Sequence, residues 1–142
     1  MPDVNGPSPT LPTSGGGQQL GDGNTTSPIL GVMKTSAIGS YTGNATVTTA
    51  ELLSGLLSYT GAGHTLTLPT AALLDAAVPA AKVGSFIEFG VNATTGTATL
   101  AGGTGITTNA TGAGSLAVAA AASARYRLVK TGTAAWNLYR VG

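Results

Sequence analysis

No cysteine occurs in this chain, which excludes a disulfide framework, a thiolate metal site and a cysteine nucleophile. Charge is scarce too: six basic and five acidic side chains in 142 residues, against about a quarter of the residues in an average soluble protein. The surface must therefore be made largely of Thr, Ser, Asn, Gly and Ala. Nowhere do apolar residues run to the roughly eighteen that a membrane-spanning helix needs, so no membrane partner is expected. The opening MPDVNGPSPTLP lacks a basic region followed by an apolar run, so Sec export is not expected either.

The few charges are unevenly placed. All five acids, Asp3, Asp22, Glu51, Asp75 and Glu88, precede residue 89, whereas Arg125, Arg127, Lys130 and Arg140 follow it. Four cations over two predicted strands make a thin electrostatic footprint for nucleic acid. A solvated strand face or an acidic neighbour is the expected use, and no nucleic-acid partner is predicted.

Residues 1–28 hold five of the seven prolines, with Val4, Leu11 and Leu20 as their sizeable apolar groups. They cannot pack a core of their own and read as a flexible or extended N-terminal arm. The domain is expected over 29–142. Within it the most informative stretch is TLTLPTAALLDAAVPAAKVGSFIEFGVN, residues 65–92. Leu66 and Leu68 alternate with Thr65 and Thr67 at the period of a half-buried strand, and Pro69, having no N–H, ends the ladder. Thr70 then caps a short helix over 71–77, which Pro79 closes. Ile87, Phe89 and Val91 share one face of a second strand, with Glu88 on the other.

Elsewhere the same reading predicts strands at 29–35, 45–49, 97–101, 115–120, 124–131 and 135–141, with 106–108, short and set among glycines, as an edge or turn segment. A helical turn is predicted over 51–57, capped by Thr48 or Thr49 and limited by Gly55. The strand at 97–101 is expected to pair with 85–92 as a hairpin through a turn at 93–96, and 131–133 to be the tight turn joining the last two strands. About eight short strands at intervals near ten residues, with one or two short helices, argue for an all-β, jelly-roll-like β-sandwich rather than a parallel α/β sheet. Its Thr- and Ala-rich edges carry little charge to guard them, which predicts burial of those edges in a homo-oligomer.

Candidate chemistry is sparse. His64 would need Asp75 and Ser58 or Ser85 to build a hydrolytic triad, and no strained GxSxG turn supports one. Glycosidase carboxylates would have to come from five acids, of which Glu88 alone lies in a predicted strand. One histidine and scattered acids give no metal-ligand pair at a recognised spacing, and Asp22-Gly23-Asn24 lacks the rest of a calcium loop. Gly102-Gly103-Thr104-Gly105 is not followed by the Lys-Ser/Thr of a phosphate loop. Asn-x-Thr at 24, 44, 92 and 109 reflects turn asparagines beside strand threonines. Tyr41, Tyr59, Tyr126, Trp136 and Tyr139 are the rings available for a sugar platform, with Trp136 expected in the core. No catalytic, cofactor or metal site is predicted, and no enzyme activity.

The succession TVTTAELLSG (46–55), TLTLPTAALLDA (65–76), VGSFIEFGVNATTGTATLAGGTGIT (83–107) and ARYRLVKTGTAAWNLYRVG (124–142) resembles small structural proteins of tailed bacteriophages: capsid decoration, or cement, proteins and head-fibre modules. The likeness covers most of residues 45–142 and rests on strand and turn signatures. It implies a trimeric β-sandwich on the outer capsid surface of a virion, made in the bacterial host cytoplasm, that ties major capsid proteins together. The alternative it implies is a trimeric head- or tail-fibre module that binds a host surface glycan. Shell or intersubunit contact is expected from the arm and the residues after it, at Leu11, Leu20, Ile29, Leu30 and Val32.

Overall fold

Threonine alternating with apolar residues sets the pattern of this chain, because a period of two sends one side chain inward and the next to solvent. In the computed structural model, which describes residues 37–108 and 116–142, that alternation builds ten strands and two short helices. The strand expected at 29–35, the arm, and Leu11, Leu20, Ile29, Leu30 and Val32 lie outside the described residues.

The chain passes from one sheet to the other with nearly every strand. β1 (Gly39–Tyr41), β3 (Leu56–Tyr59), β5 (Phe86–Ala93), β7 (Ile106–Thr108), β9 (Ala122–Gly132) and β10 (Ala135–Arg140) form a six-stranded sheet in the order β1-β3-β5-β9-β10-β7. β2 (Ala45–Thr46), β4 (His64–Thr67), β6 (Ala98–Ala101) and β8 (Ala117–Val118) form a four-stranded one in sequence order. β1, β3 and β5 are parallel, as are β2, β4 and β6. Successive turns of chain are therefore stacked as coils, and the antiparallel β9-β10 hairpin closes the stack against β5.

The two-sheeted, β-rich expectation holds. Among the described strands the sheets are mixed, with five parallel and three antiparallel pairings rather than the wholly antiparallel pairing of a jelly roll, and the predicted hairpin of 85–92 with 97–101 does not form. β5 lies between β3 and β9, while β6 lies between β4 and β8 in the other sheet. The reason is the corner at 93–96. The Thr94 N–H and hydroxyl both donate to the Tyr59 carbonyl, at 2.8 and 2.7 Å, and the Thr60 N–H donates to the Tyr41 carbonyl at 2.8 Å. The corner thus rests on the corner before it and sends the chain across to the other sheet. Alternation specifies that a segment is a strand and says nothing about its partner.

The coils contain a repeat: Tyr-Thr-Gly at 41–43 and 59–61, then TVTTAELL at 46–53 and TLTLPTAALL at 65–74. Equivalent residues stack. Tyr41 sits beside Tyr59 and Tyr59 beside Ala93, and Ala45 sits beside Leu66 and Leu66 beside Leu100. After each of the first two strands of the second sheet a threonine begins a helix. Thr48 caps α1 (Thr49–Leu53), which starts two residues earlier than expected and stops four earlier, because Gly55 at φ +91° releases the chain into β3. Thr70 caps α2 (Ala71–Ala77), and its hydroxyl accepts from the Leu73 N–H. α2 lies beside α1 as part of a coil rather than as a lid over one end.

Leu66, Leu68 and Leu100 from the smaller sheet meet Leu57, Phe89, Val91, Tyr126, Leu128, Trp136 and Leu138 from the larger, and Leu52 and Leu74 close the helical side. Phe89 and Tyr126 stack with ring centroids 5.8 Å apart. The turn between β9 and β10 falls at Thr133-Ala134, one residue past the expected position, with Ala134 at φ +49°.

Two consequences are measurable. Leu66→Ala truncates the fully buried middle member of the Ala45-Leu66-Leu100 row and should cost about 2–5 kcal/mol in urea unfolding. Gly96→Ala would place a Cβ 2.0 Å from the Gly61 carbonyl oxygen, whereas Gly43 has nothing within 4 Å of that position. Backbone on both sides of the first contact cannot yield cheaply, so Gly96→Ala should lose about 1–3 kcal/mol and Gly43→Ala much less.

Candidate functional site: the outer face of the six-stranded sheet

The residues nominated for catalysis are not brought together. His64 opens β4 with its ring edge-on to Tyr59 at 6.4 Å, Ser58 stands on β3, and the Ser85 hydroxyl accepts from the Lys82 N–H. Asp75 is committed elsewhere. Its Oδ1 accepts from Lys130 Nζ at 2.6 Å and from Trp136 Nε1 at 2.8 Å, and its Oδ2 accepts from the Ala134 N–H at 2.8 Å. One carboxylate thus satisfies a buried indole, holds the β9-β10 turn and ties α2 to both strands. The hydrogen bonds from Lys130, the Ala134 backbone and Trp136 hold the Asp75 carboxyl down at about 2. No group of three or more His, Asp or Glu side chains placed to hold a metal occurs among the described residues.

Glu51 plays the equivalent part at the first coil. It completes a capping box with Thr48 and accepts from the Tyr41 hydroxyl at 2.7 Å. The Thr48 and Tyr41 hydrogen bonds lower its pKa, while burial and the neighbouring carboxylate raise that of Tyr41.

The rings proposed as a sugar platform are mostly interior: Tyr59, Tyr126 and Trp136 are buried. Tyr139 stays on the outer face of the larger sheet, where its hydroxyl accepts from Asn137 Nδ2 at 3.2 Å. Folding also removes the charge asymmetry. Arg127 Nε donates to Glu88 Oε1 at 2.8 Å, Arg125 lies 3.7 Å from Glu88 Oε2, and Lys130 is held by Asp75. Arg140 reaches the Ala117 carbonyl of the smaller sheet.

What emerges on the outer face of the larger sheet is a set of rows running across the strands, fixed by register. Ser40, Ser58, Asn92 and Ser123 form a polar row. Beside it runs a mixed one: Leu56 on β3, Gly90 on β5 and the charged Arg125 on β9, extended by the apolar Ile38 before β1 and Val141, whose N–H donates to the Arg125 carbonyl. Next come Glu88, Arg127 and Tyr139, and then Phe86, Val129, Asn137 and Thr107. The Arg127 guanidinium lies 4.4 Å from the centroid of the Phe86 ring. Because Gly90 has no side chain, a hollow of about 280 Å³ opens between Leu56, Ser123, Arg125 and Gly142. Ile38, Leu56, Phe86 and Val141 are all at least 40% exposed.

The smaller sheet presents a different outer face. Asn44, Thr46, Thr65 and Thr67 line an uncharged groove of about 470 Å³, and Asn44 Oδ1 accepts from the Thr65 N–H at 2.8 Å.

No family model, curated protein or solved structure matches the chain. Among the described residues no helix is long and apolar enough to cross a membrane. Neither surface was readable from sequence, since each is assembled from strands far apart in the chain. The repeat at 41–53 and 59–74 was the available signal, because it announces parallel stacking and hence the rows.

Asp75→Asn tests the anchor. A carboxyl held near 2 when folded and near 4 when unfolded contributes stability that is present above about pH 4 and lost as pH falls toward 2. The variant should melt several degrees lower at neutral pH and show a flatter decline in melting temperature between those limits.

Proposed function

We propose that this chain is a virion structural protein that decorates the outside of a bacteriophage head and braces the shell by bridging major capsid proteins. The observation that carries the reading is a surface of scarce and mostly paired charge on a two-sheet support: Glu51, Asp75 and Glu88 are taken up by Tyr41, Lys130 and Arg127, and the smaller sheet turns Asn44, Thr46, Thr65 and Thr67 outward. Such a surface is buried against a protein shell at low desolvation cost. A binder repeated over many equivalent positions stabilises an assembly by linkage. The segments at 46–55, 65–76, 83–107 and 124–142 support the same reading by their resemblance to phage decoration proteins and head-fibre modules. Three-fold association and arm contacts through Leu11, Leu20, Ile29, Leu30 and Val32 belong to this proposal, as does synthesis in the bacterial cytoplasm.

A second reading, a trimeric head- or tail-fibre module that binds a host glycan, draws on the uncharged groove at Asn44, Thr46, Thr65 and Thr67. Its hydroxyls and amide have the chemistry to meet a neutral sugar.

Electron microscopy of particles purified from cells that make this chain separates the two. Decoration predicts density for the domain at regular positions over the head, with occupancy reduced when the chain is truncated to start at residue 29. Density confined to a tail tip favours the fibre module, and absence from every particle overturns both.

A further inference from the structure

The outer face of the six-stranded sheet carries an unfinished ion pair. Glu88 Oε1 takes the Arg127 Nε hydrogen bond at 2.8 Å and a second from Arg127 Nη2. Its other oxygen, Oε2, has among the described residues the more distant Arg125 as its charged neighbour, at 3.7 Å, which is beyond hydrogen-bond reach. The Arg125 side chain is 71% exposed and that of Glu88 31%. A guanidinium with spare donors and a carboxylate oxygen with spare acceptor capacity therefore lie side by side, on diagonal positions of β9 and β5.

We infer that this face is an interface between copies of the same chain, in which Arg125 of each copy pairs with Glu88 of a neighbour around a symmetry axis. A two-fold interface requires a surface that complements itself, and adjacent opposite charges close to the axis meet that requirement; in a ring of higher order the same two charges can pair head to tail between neighbours. A wholly acidic partner would complete Arg125 and repel Glu88, whereas a second copy brings both charges. The surrounding side chains fit this. Ile38, Leu56, Phe86 and Val141 are apolar and exposed, and the hollow over Gly90 can receive an apolar side chain from the opposite copy. The row through Ile38, Leu56, Gly90, Arg125 and Val141 crosses five neighbouring chain segments, a width of about 19 Å at the usual inter-strand spacing. Parallel strands such as β1, β3 and β5 are ordinarily covered on both faces. Here the inner face packs on the smaller sheet, and the outer face has no cover among the described residues. This inference does not rest on the virion reading: an oligomer that fails to decorate particles would leave it standing.

Sedimentation equilibrium of the full-length chain tests it, with circular dichroism to confirm that each variant is folded. The wild type should sediment as a multiple of the protomer mass. Leu56→Glu combined with Val141→Glu should sediment as a monomer, and Arg125→Glu should weaken association by roughly tenfold or more. Leu73→Glu, on the exposed side of α2, serves as a control for general surface stickiness and should keep the wild-type mass. A monomeric wild type, a double variant that is folded and retains the wild-type mass, or dissociation caused by Leu73→Glu would each overturn the inference. Should Leu56→Glu with Val141→Glu fail to fold, Arg125→Glu decides the question, since that side chain reaches into solvent and fills no part of the core.

Discussion

Close stacking of one coil on the next is the constraint on which the rest of this structure depends. It is enforced at the corners, where backbone approaches backbone. Thr60 and Thr94 each donate an N–H to the tyrosine carbonyl of the preceding coil, and their hydroxyls meet at 2.7 Å. At Gly96 there is no space for a Cβ against Gly61, nor at Gly103 against the Leu68 and Pro69 carbonyls. Glycine and threonine are abundant here for that physical reason: one permits the approach, and the other satisfies the polar groups that the approach exposes.

From that stacking the core and the outer faces both follow. Register between parallel strands places Leu66 over Leu100 and Tyr59 beside Ala93, so each coil contributes to one shared interior. The same register turns single outward residues into rows. A lone Leu56 or Val141 on a surface is ordinary, but in line with Ile38, Gly90 and Arg125 it becomes part of one row whose arginine also faces Glu88 of the next row. Scarce charges are placed with corresponding economy. Asp75 fastens α2 to the β9-β10 hairpin, Glu51 fastens Tyr41 across the first coil, and Glu88 is shared by two arginines.

Much of the local structure was legible in the residues. The helix at 71–77 begins and ends where Thr70 and Pro79 require, and the faces of β9 and β10, with Tyr126, Leu128, Trp136 and Leu138 inward, follow from alternation. Trp136 lies in the core as its alternation with Leu138 implied. Two strands escaped the reading. β1 contains Gly39, a weak strand former, and β3 follows a helix through Gly55 so closely that Leu56 and Leu57 read as its last turn. Pairing was read wrongly where it mattered most, at 85–101, because two consecutive alternating segments separated by a short turn have the local signature of a hairpin. The corner contacts that send them into different sheets are made with residues more than thirty positions away.

The sequence by itself determined most of the strand segments, β1 and β3 excepted, and which side of each is buried, because period and capping act over a few neighbouring residues. It also contained, in the doubled Tyr-Thr-Gly and Thr-x-Thr segments, the cause of the stacking. Only the tertiary structure decided which strands are neighbours, and with that which surface residues stand in line. Ile38, Leu56, Gly90, Arg125 and Val141 are spread over about a hundred positions and become one surface through backbone register, a long-range property that no local pattern encodes.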